Sequence, residues 1–566
     1  MTSVLLPRDQ RAWWRDAVTY QIYIRSFADG NGDGIGDIEG IRSRLPYLKS
    51  LGIDAIWITP WYPSPQHDHG YDVANYMDIE PMYGTLADAQ ALIQECHALG
   101  LKLIVDIVPN HSSDQHVWFQ EALASPPGSA ARDRYIFRDG KGEGGNLPPN
   151  NWQSVFGGPA WHRLIAADGT FEQWYLHLFA VEQPDFNWEH PEVRAHFESI
   201  LRFWLDRGVD GFRIDVAQAL IKYPGLPDIP ENLPEVDPSD ATYVVPPEHR
   251  PTWDQEGVHE IYRAWRKILN SYEGDRMAVA EAWVSPASRI ARYLRPDELA
   301  NSFNFDFLTS KWDAKYLTQM INRAVDAMTE VGAPPSWVFN NHDVTRSVDR
   351  FDLGLQNQQT NTLERQGDPK KFNIQRGTLR ARSGALLMLA LPGGAYIYQG
   401  EELALPEVRD IPEDRLTDPI WKMSEFKDRG RDGCRVPMPW NTDSDGAFGF
   451  SSNTDLKPDQ AWLPQSSWWG SFSAQSQIDA SGSTHSLYSD ALKIRRAEAG
   501  LGDGPMQWIG AGVDVIAFSR PGNFACYLNF GKPIKLPLGA QVLISSAPIV
   551  NGIIDQDVAV WMRLTP

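Results

Sequence analysis

Short apolar runs alternate with amphipathic stretches along most of this chain, the pattern of repeated β/α units. The apolar runs predict strands over residues 18–23, 55–58, 103–108, 211–214, 277–280, 302–303, 337–339 and 396–398. Residues 86–99, 192–206, 259–272 and 373–391 carry the three-to-four-residue periodicity of helices that bury one face. Eight strands, each followed by a crossover, fit an α/β fold, either a closed (β/α)8 TIM barrel or a doubly wound open sheet.

Three interruptions break the alternation. Residues 112–179 form a long insertion after the third strand, rich in Gly, Pro and Trp, and residues 223–251 are too Pro-rich for a regular helix. Residues 401–471 are irregular after the eighth strand. All three leave the C-terminal ends of strands, where barrel enzymes place their binding walls. From about residue 501 short β-prone segments separated by Gly and Pro predict a small antiparallel β domain. The expected organisation is a barrel over 1–111 and 180–500, an insertion domain over 112–179 and a β domain over 501–566.

Composition narrows the partners. Of the 566 residues 42% are hydrophobic and 22% charged, as in globular proteins, and a formal net charge of −21 repels nucleic acid and anionic lipid. Neither is expected as a partner, whereas a neutral sugar is not disfavoured. Cys96, Cys434 and Cys526 are too few and too far apart for a disulfide framework or zinc cluster. The opening MTSVLLPRDQRAWWRD lacks the apolar run of a signal peptide, and no stretch is long enough to span a membrane, so a cytoplasmic protein is expected.

The chemistry gathers at strand ends. Asp106, Asn110 and His111 close the third strand (DIVPNH), Arg213 and Asp215 the fourth (GFRID), and Glu281 the fifth (AEAW); His342 and Asp343 follow the seventh (NNHD). One such aspartate alone reads as a helix N-cap. A cap does not call for an arginine two residues earlier, and strand alternation puts Arg213 and Asp215 on one face, where the guanidinium is expected to hold the carboxylate ionised.

DIVPNH, GFRID, AEAW and NNHD, with QPDFNW at 183–188, AVTYQIYIRSFADGNGDGIGD at 17–37 and HDHGYDV at 67–73, resemble the motifs of glycoside hydrolase family 13, the α-amylase family, in its oligo-1,6-glucosidase and α-glucosidase branch. The resemblance implies the barrel and a retaining, exo-acting glucosidase. It makes Asp215 the nucleophile, Glu281 the acid/base and Asp343 the third carboxylate that grips the sugar. It places Asp72, His111, Arg213 and His342 around the terminal glucose and Tyr71 beneath it, with Phe156 and Phe179 as walls and Arg346 and Arg409 at the entrance. Asp29, Asn31, Asp33 and Asp37, with the carbonyl of Ile35, would hold a structural calcium ion; read as residues alone, DGNGDGIGD is either such a loop or an acidic turn. No cofactor is implied for catalysis. Val216 resembles the valine of α-1,6-acting members, while GFRIDVA, PPNNWQSVFGGPAW and WYLHLF resemble bacterial α-glucosidases acting on maltose-type linkages. The α-1,4 reading is favoured, with oligo-1,6-glucosidase and sucrose- or trehalose-converting glucosyl transferase or isomerase as alternatives.

Overall fold

The computed structural model describes residues 10–166, 168–231, 244–355 and 369–565. Residues 1–9, the extreme N-terminus read for a leader, and 232–243, part of the Pro-rich segment, lie outside them.

Eight parallel strands form one sheet that nearly closes: β1 (Val18–Ile22), β2 (Ala55–Ile58), β3 (Lys102–Ile107), β4 (Gly211–Ile214), β5 (Met277–Ala280), β6 (Asn301–Ser302), β7 (Ser336–Val338) and β8 (Gly394–Tyr398). Their order is β7-β8-β1-β2-β3-β4-β5-β6, so neighbours in sequence are neighbours in space, and β8 returns to β1. This selects the barrel over the doubly wound sheet, which would leave β1 inside and reverse direction. Seven of the eight strands are buried throughout, and in β3 only Lys102 is partly exposed. Such burial explains their continuous apolar runs in place of alternation.

The helices begin where local chemistry caps them. Thr85 and Asp88 form a reciprocal capping box on Leu86–Ala98, and Pro191 starts Pro191–Asp206 at the position where its missing N–H costs nothing. Asn373 caps Ile374–Ala390 by accepting from the Arg376 amide. That helix packs its buried second half, Ser383–Ala390, towards both the barrel and the C-terminal sheet, where Trp561 donates to the Leu386 carbonyl at 2.9 Å.

Between β3 and β4 lies a three-stranded antiparallel sheet (Phe137–Arg138, Trp161–Ile165, Phe171–Leu176). Residues 507–563 carry a five-stranded antiparallel sheet with a two-stranded ribbon. All three cysteines are buried and free. Among the described residues no helix is long and apolar enough to cross a membrane.

Candidate active site

Strand register sets the centre of the site. Asp106 on β3 pairs with Arg213 on β4, and Ile214 pairs with Ala280 on β5, so Asp215 and Glu281 leave adjacent strands at one level. The Asp215 amide donates to Ile107 and the Glu281 amide to Ile214, both at 2.9 Å, which extends the ladder one residue past each strand. Arg213 lies beneath, 1% exposed. Its guanidinium reaches Asp106 at 2.9 Å, Asp215 Oδ1 at 2.6 Å and Glu281 Oε2 at 2.5 Å.

That arrangement corrects the role expected of Arg213. Its charge is divided among three carboxylates instead of serving Asp215 alone. Burial therefore pushes the Asp215 carboxyl well above the ordinary aspartate range, with Arg213 opposing and the Glu281 and Asp106 charges adding to the shift. Asp106 is likewise pushed up by burial, to about 7, against the same arginine. Arg213 holds the Asp215 and Glu281 carboxyls side by side, one on each terminal nitrogen of its guanidinium.

Asp343 arrives from the segment after β7. Its Oδ1 accepts from Arg431 Nη1 at 2.9 Å and Arg435 Nη2 at 3.0 Å. Burial acts to raise Asp343, but His342 and the arginines outweigh it and hold the carboxyl below its usual range. Burial lowers His342 well below its ordinary value, with the Asp343 charge opposing. His342 is fixed at both ring nitrogens, by Gln21 on β1 at 2.7 Å and by the Tyr71 hydroxyl at 2.8 Å. Tyr71 stacks on it with the rings 6° from parallel.

These groups surround a pocket of about 950 Å³, counting the space open at its mouth. Tyr71, His111, Phe156, Phe179, Asp215, Glu281, His342 and Asp343 line it, and Arg213 supports its floor. His111, lowered to about 4 by burial, faces the Tyr71 carbonyl and Gln183. The QPDFNW segment is a brace: Gln183 donates to Asp68 Oδ2 at 3.2 Å, and Asp185 accepts from Asn110 at 3.0 Å and pairs with Lys222 at 2.8 Å.

Three expected pocket residues lie elsewhere. Asp72 is fully buried and turns back on its own loop, accepting from the His67 and Asp68 amides at 2.8 and 3.0 Å. The carboxylate that lines the pocket from this motif is Asp68. Arg346 is 2% exposed and donates to the carbonyls of Gln399 and Cys434, because the turn after β8 buries those acceptors around it. Arg409 pairs with buried Asp349 at 2.8 Å and is not among the residues lining the pocket.

Sequence reading passed over Asp68, Arg431, Gln218, Trp253 and Trp283, all pocket-lining. Arg431 bridges Asp68 at 3.2 Å, Asp343 at 2.9 Å and Asp418 at 2.7 Å. Its signal in the sequence is the Arg431–Arg435 spacing, which puts both side chains on one side of the short helix Asp432–Arg435.

The loop read for calcium is held largely by its own backbone. Asp29 accepts from the amides of Gly32 and Gly34, Asp37 from those of Gly30, Asn31 and Gly40, and Asp33 from that of Ile35. Among the described residues no group of three or more Asp, Glu, His or Cys side chains is gathered to hold a metal ion.

The sequence profile of the α-amylase catalytic domain matches residues 21–504. The chain belongs to the α-amylase family of glycoside hydrolases. It is 36% identical to a probable α-glucosidase of Rhizobium meliloti, over 98% of this chain and 97% of that one. It is also 36% identical to an oligo-1,6-glucosidase of Parageobacillus thermoglucosidasius, over 86% and 84%. The solved structure of the α-glucosyl transfer enzyme XgtA superposes with a TM-score of 0.81 at 32% identity, covering 98% of this chain and all of that one. Members of this family are glycoside hydrolases whose chemistry needs no cofactor.

Proposed function

We propose that this protein is a retaining α-glucosidase that removes a terminal non-reducing α-1,4-linked glucose from maltose and short oligosaccharides. The observation that carries this is the Asp215–Glu281 pair, bridged by Arg213 at the ends of registered neighbouring strands and lining one pocket. A retaining mechanism needs carboxyls about 5–5.5 Å apart on either side of C1, whereas inversion needs about 6.5–9.5 Å to admit a water. Two carboxyls held by the two terminal nitrogens of one guanidinium fit the shorter spacing.

Asp215 Oδ1 is tied to Arg213, so Oδ2 is the oxygen that attacks C1. Glu281 gives its proton to the glycosidic oxygen, whose bonding pair leaves with the departing sugar. Water, or a second sugar in transglucosylation, then gives its proton to Glu281 and its oxygen to C1. Asp343 and Asp68, both bound to Arg431, are placed to accept from sugar hydroxyls. In a panel of maltose, maltotriose, isomaltose, trehalose and sucrose, maltose is expected to release α-glucose first, followed by NMR before mutarotation; β-glucose would end the retaining assignment.

A second reading, preference for α-1,6 linkages, rests on Val216. This β-branched residue lines the pocket directly after Asp215 with φ of 45°, a costly conformation for such a side chain. A kcat/KM for isomaltose above that for maltose would select it.

We also propose that the 29–37 loop takes a structural calcium ion. Its hard oxygen donors at alternate positions favour that cation, and the amide bonds to Asp29 and Asp37 would preorganise them. Calcium is then expected to raise the melting temperature and EGTA to lower it, in proportion to ion binding; a melting curve indifferent to both would leave the loop as a self-bonded turn.

A further inference from the structure

The two oxygens of Glu281 are not equivalent. Oε2 receives the Val216 backbone N–H at 3.2 Å and lies 2.5 Å from Arg213 Nη2. Both donors are fixed, one by the end of β4 and the other by its three carboxylate partners. An oxygen already accepting from two N–H groups has no lone pair left to carry a proton. The other oxygen, Oε1, has a different neighbour: the Trp283 indole N–H donates to it at 3.3 Å. That indole lies against the Phe305 ring with centroids 3.7 Å apart and planes 25° from parallel, so its N–H direction is set by packing, and the same residue lines the pocket.

We propose that Glu281 delivers its proton from Oε1 and that Trp283 is the positioning residue that aims this oxygen at the leaving sugar. The inference rests on the glucosidase reading and deepens it. As the C1–O bond breaks, its electron pair stays on the glycosidic oxygen, which takes the proton from Oε1. The carboxylate left behind keeps the Trp283 N–H on Oε1 and the Val216 and Arg213 donors on Oε2, so no donor has to move as the charge develops. In the second half-reaction Oε1 takes a proton from water as the water oxygen bonds to C1. Trp283 itself, a donor with no acceptor site, transfers nothing.

The test compares substrates that need a proton on the leaving group with one that does not. The glucose expelled from maltose departs as an alkoxide unless protonated; 4-nitrophenyl α-glucoside expels a stable 4-nitrophenolate. Trp283→Phe is expected to lower kcat/KM for maltose about tenfold more than that for the aryl glucoside, the worth of one hydrogen bond to a charged group. Replacing the indole at 283 by 3-benzothienylalanine removes only the N–H and keeps the shape; it should reproduce the split even if the Phe variant folds poorly. Trp283→His, which retains a ring N–H, should recover part of the loss on maltose. Equal losses on both substrates, or none on either, would overturn the assignment and leave Trp283 as a wall. A wild-type enzyme inert towards both substrates would overturn the glucosidase reading instead.

Discussion

Asp215→Ala is expected to lower glucosidase turnover by on the order of 10⁴-fold to 10⁶-fold, as removal of a covalent nucleophile does elsewhere. Added azide should then restore turnover of 4-nitrophenyl α-glucoside. The substitution removes a carboxylate that is held by Arg213 and lines the pocket with Glu281. A small anion can take the vacated position against the Arg213 guanidinium. Attacking from that side, it inverts C1, so the product is β-glucosyl azide, and a good leaving group lets the step proceed without the acid. The same treatment of Asp343→Ala should yield no azide adduct, because Asp343 is held by Arg431 and Arg435 and has no part in attacking C1. NMR of the product separates the cases: an α-configured azide, or an Asp215→Ala enzyme as fast as wild type, would remove Asp215 from the nucleophile's role.

The parts of this site legible from sequence are those fixed by one strand or two neighbouring ones. Arg213 and Asp215 share a face because strands alternate, and Glu281 joins them because β4 and β5 are adjacent and in register. Likewise the eight apolar runs gave the barrel strands, the shortest being Asn301–Ser302, one residue earlier than the pattern places it. What was not legible are contacts made between loops far apart in sequence. Asp68 and Asp72 sit in one motif, and nothing in it says which faces the pocket. The choice is made by Arg431 and Gln183, remote in the chain, which draw Asp68 inward while Asp72 is consumed by its own loop's amides. Arg346 and Arg409 mislead for the matching reason: their partners, the Gln399 and Cys434 carbonyls and Asp349, become acceptors only once the segments after β7 and β8 have packed together. Nor does alternation reveal that Arg213 serves Asp106 and Glu281 as well as Asp215, which is why its effect on Asp215 was overstated.

Arg431→Ala should be the most damaging change outside the catalytic carboxyls, and its damage should depend on pH in a defined direction. The guanidinium, 12% exposed, is the shared counter-charge of Asp68, Asp343 and Asp418. Removing one partner of a buried ion pair costs about 3–5 kcal/mol, because the remaining charge is left uncompensated. Here three charges are left, with Arg435 still beside Asp343 and Asp418. In the wild type Asp343 is held below the usual range, so its ionisation stabilises the fold above the unfolded-state value near 4 and that contribution is lost as pH falls. Asp68 is the opposite case. Burial raises it to about 6 despite Arg431, so its contribution is present below the unfolded value and is lost as pH rises through about 6. Without Arg431 both carboxyls move upward and take up protons more readily when folded. The urea midpoint of the variant should therefore lie furthest below wild type at pH 7 and approach it towards pH 5. Activity should fall with it: kcat/KM for maltose is expected to drop on the order of a hundredfold, since the two carboxylates that would accept from the sugar lose the fork that orients them. Arg431→Lys keeps the charge and loses the fork, and should retain most of the stability at pH 7 while binding maltose poorly. A stability gap between Arg431→Ala and wild type that is constant from pH 7 to pH 5 would show that Asp68 and Asp343 do not depend on this arginine for their charge.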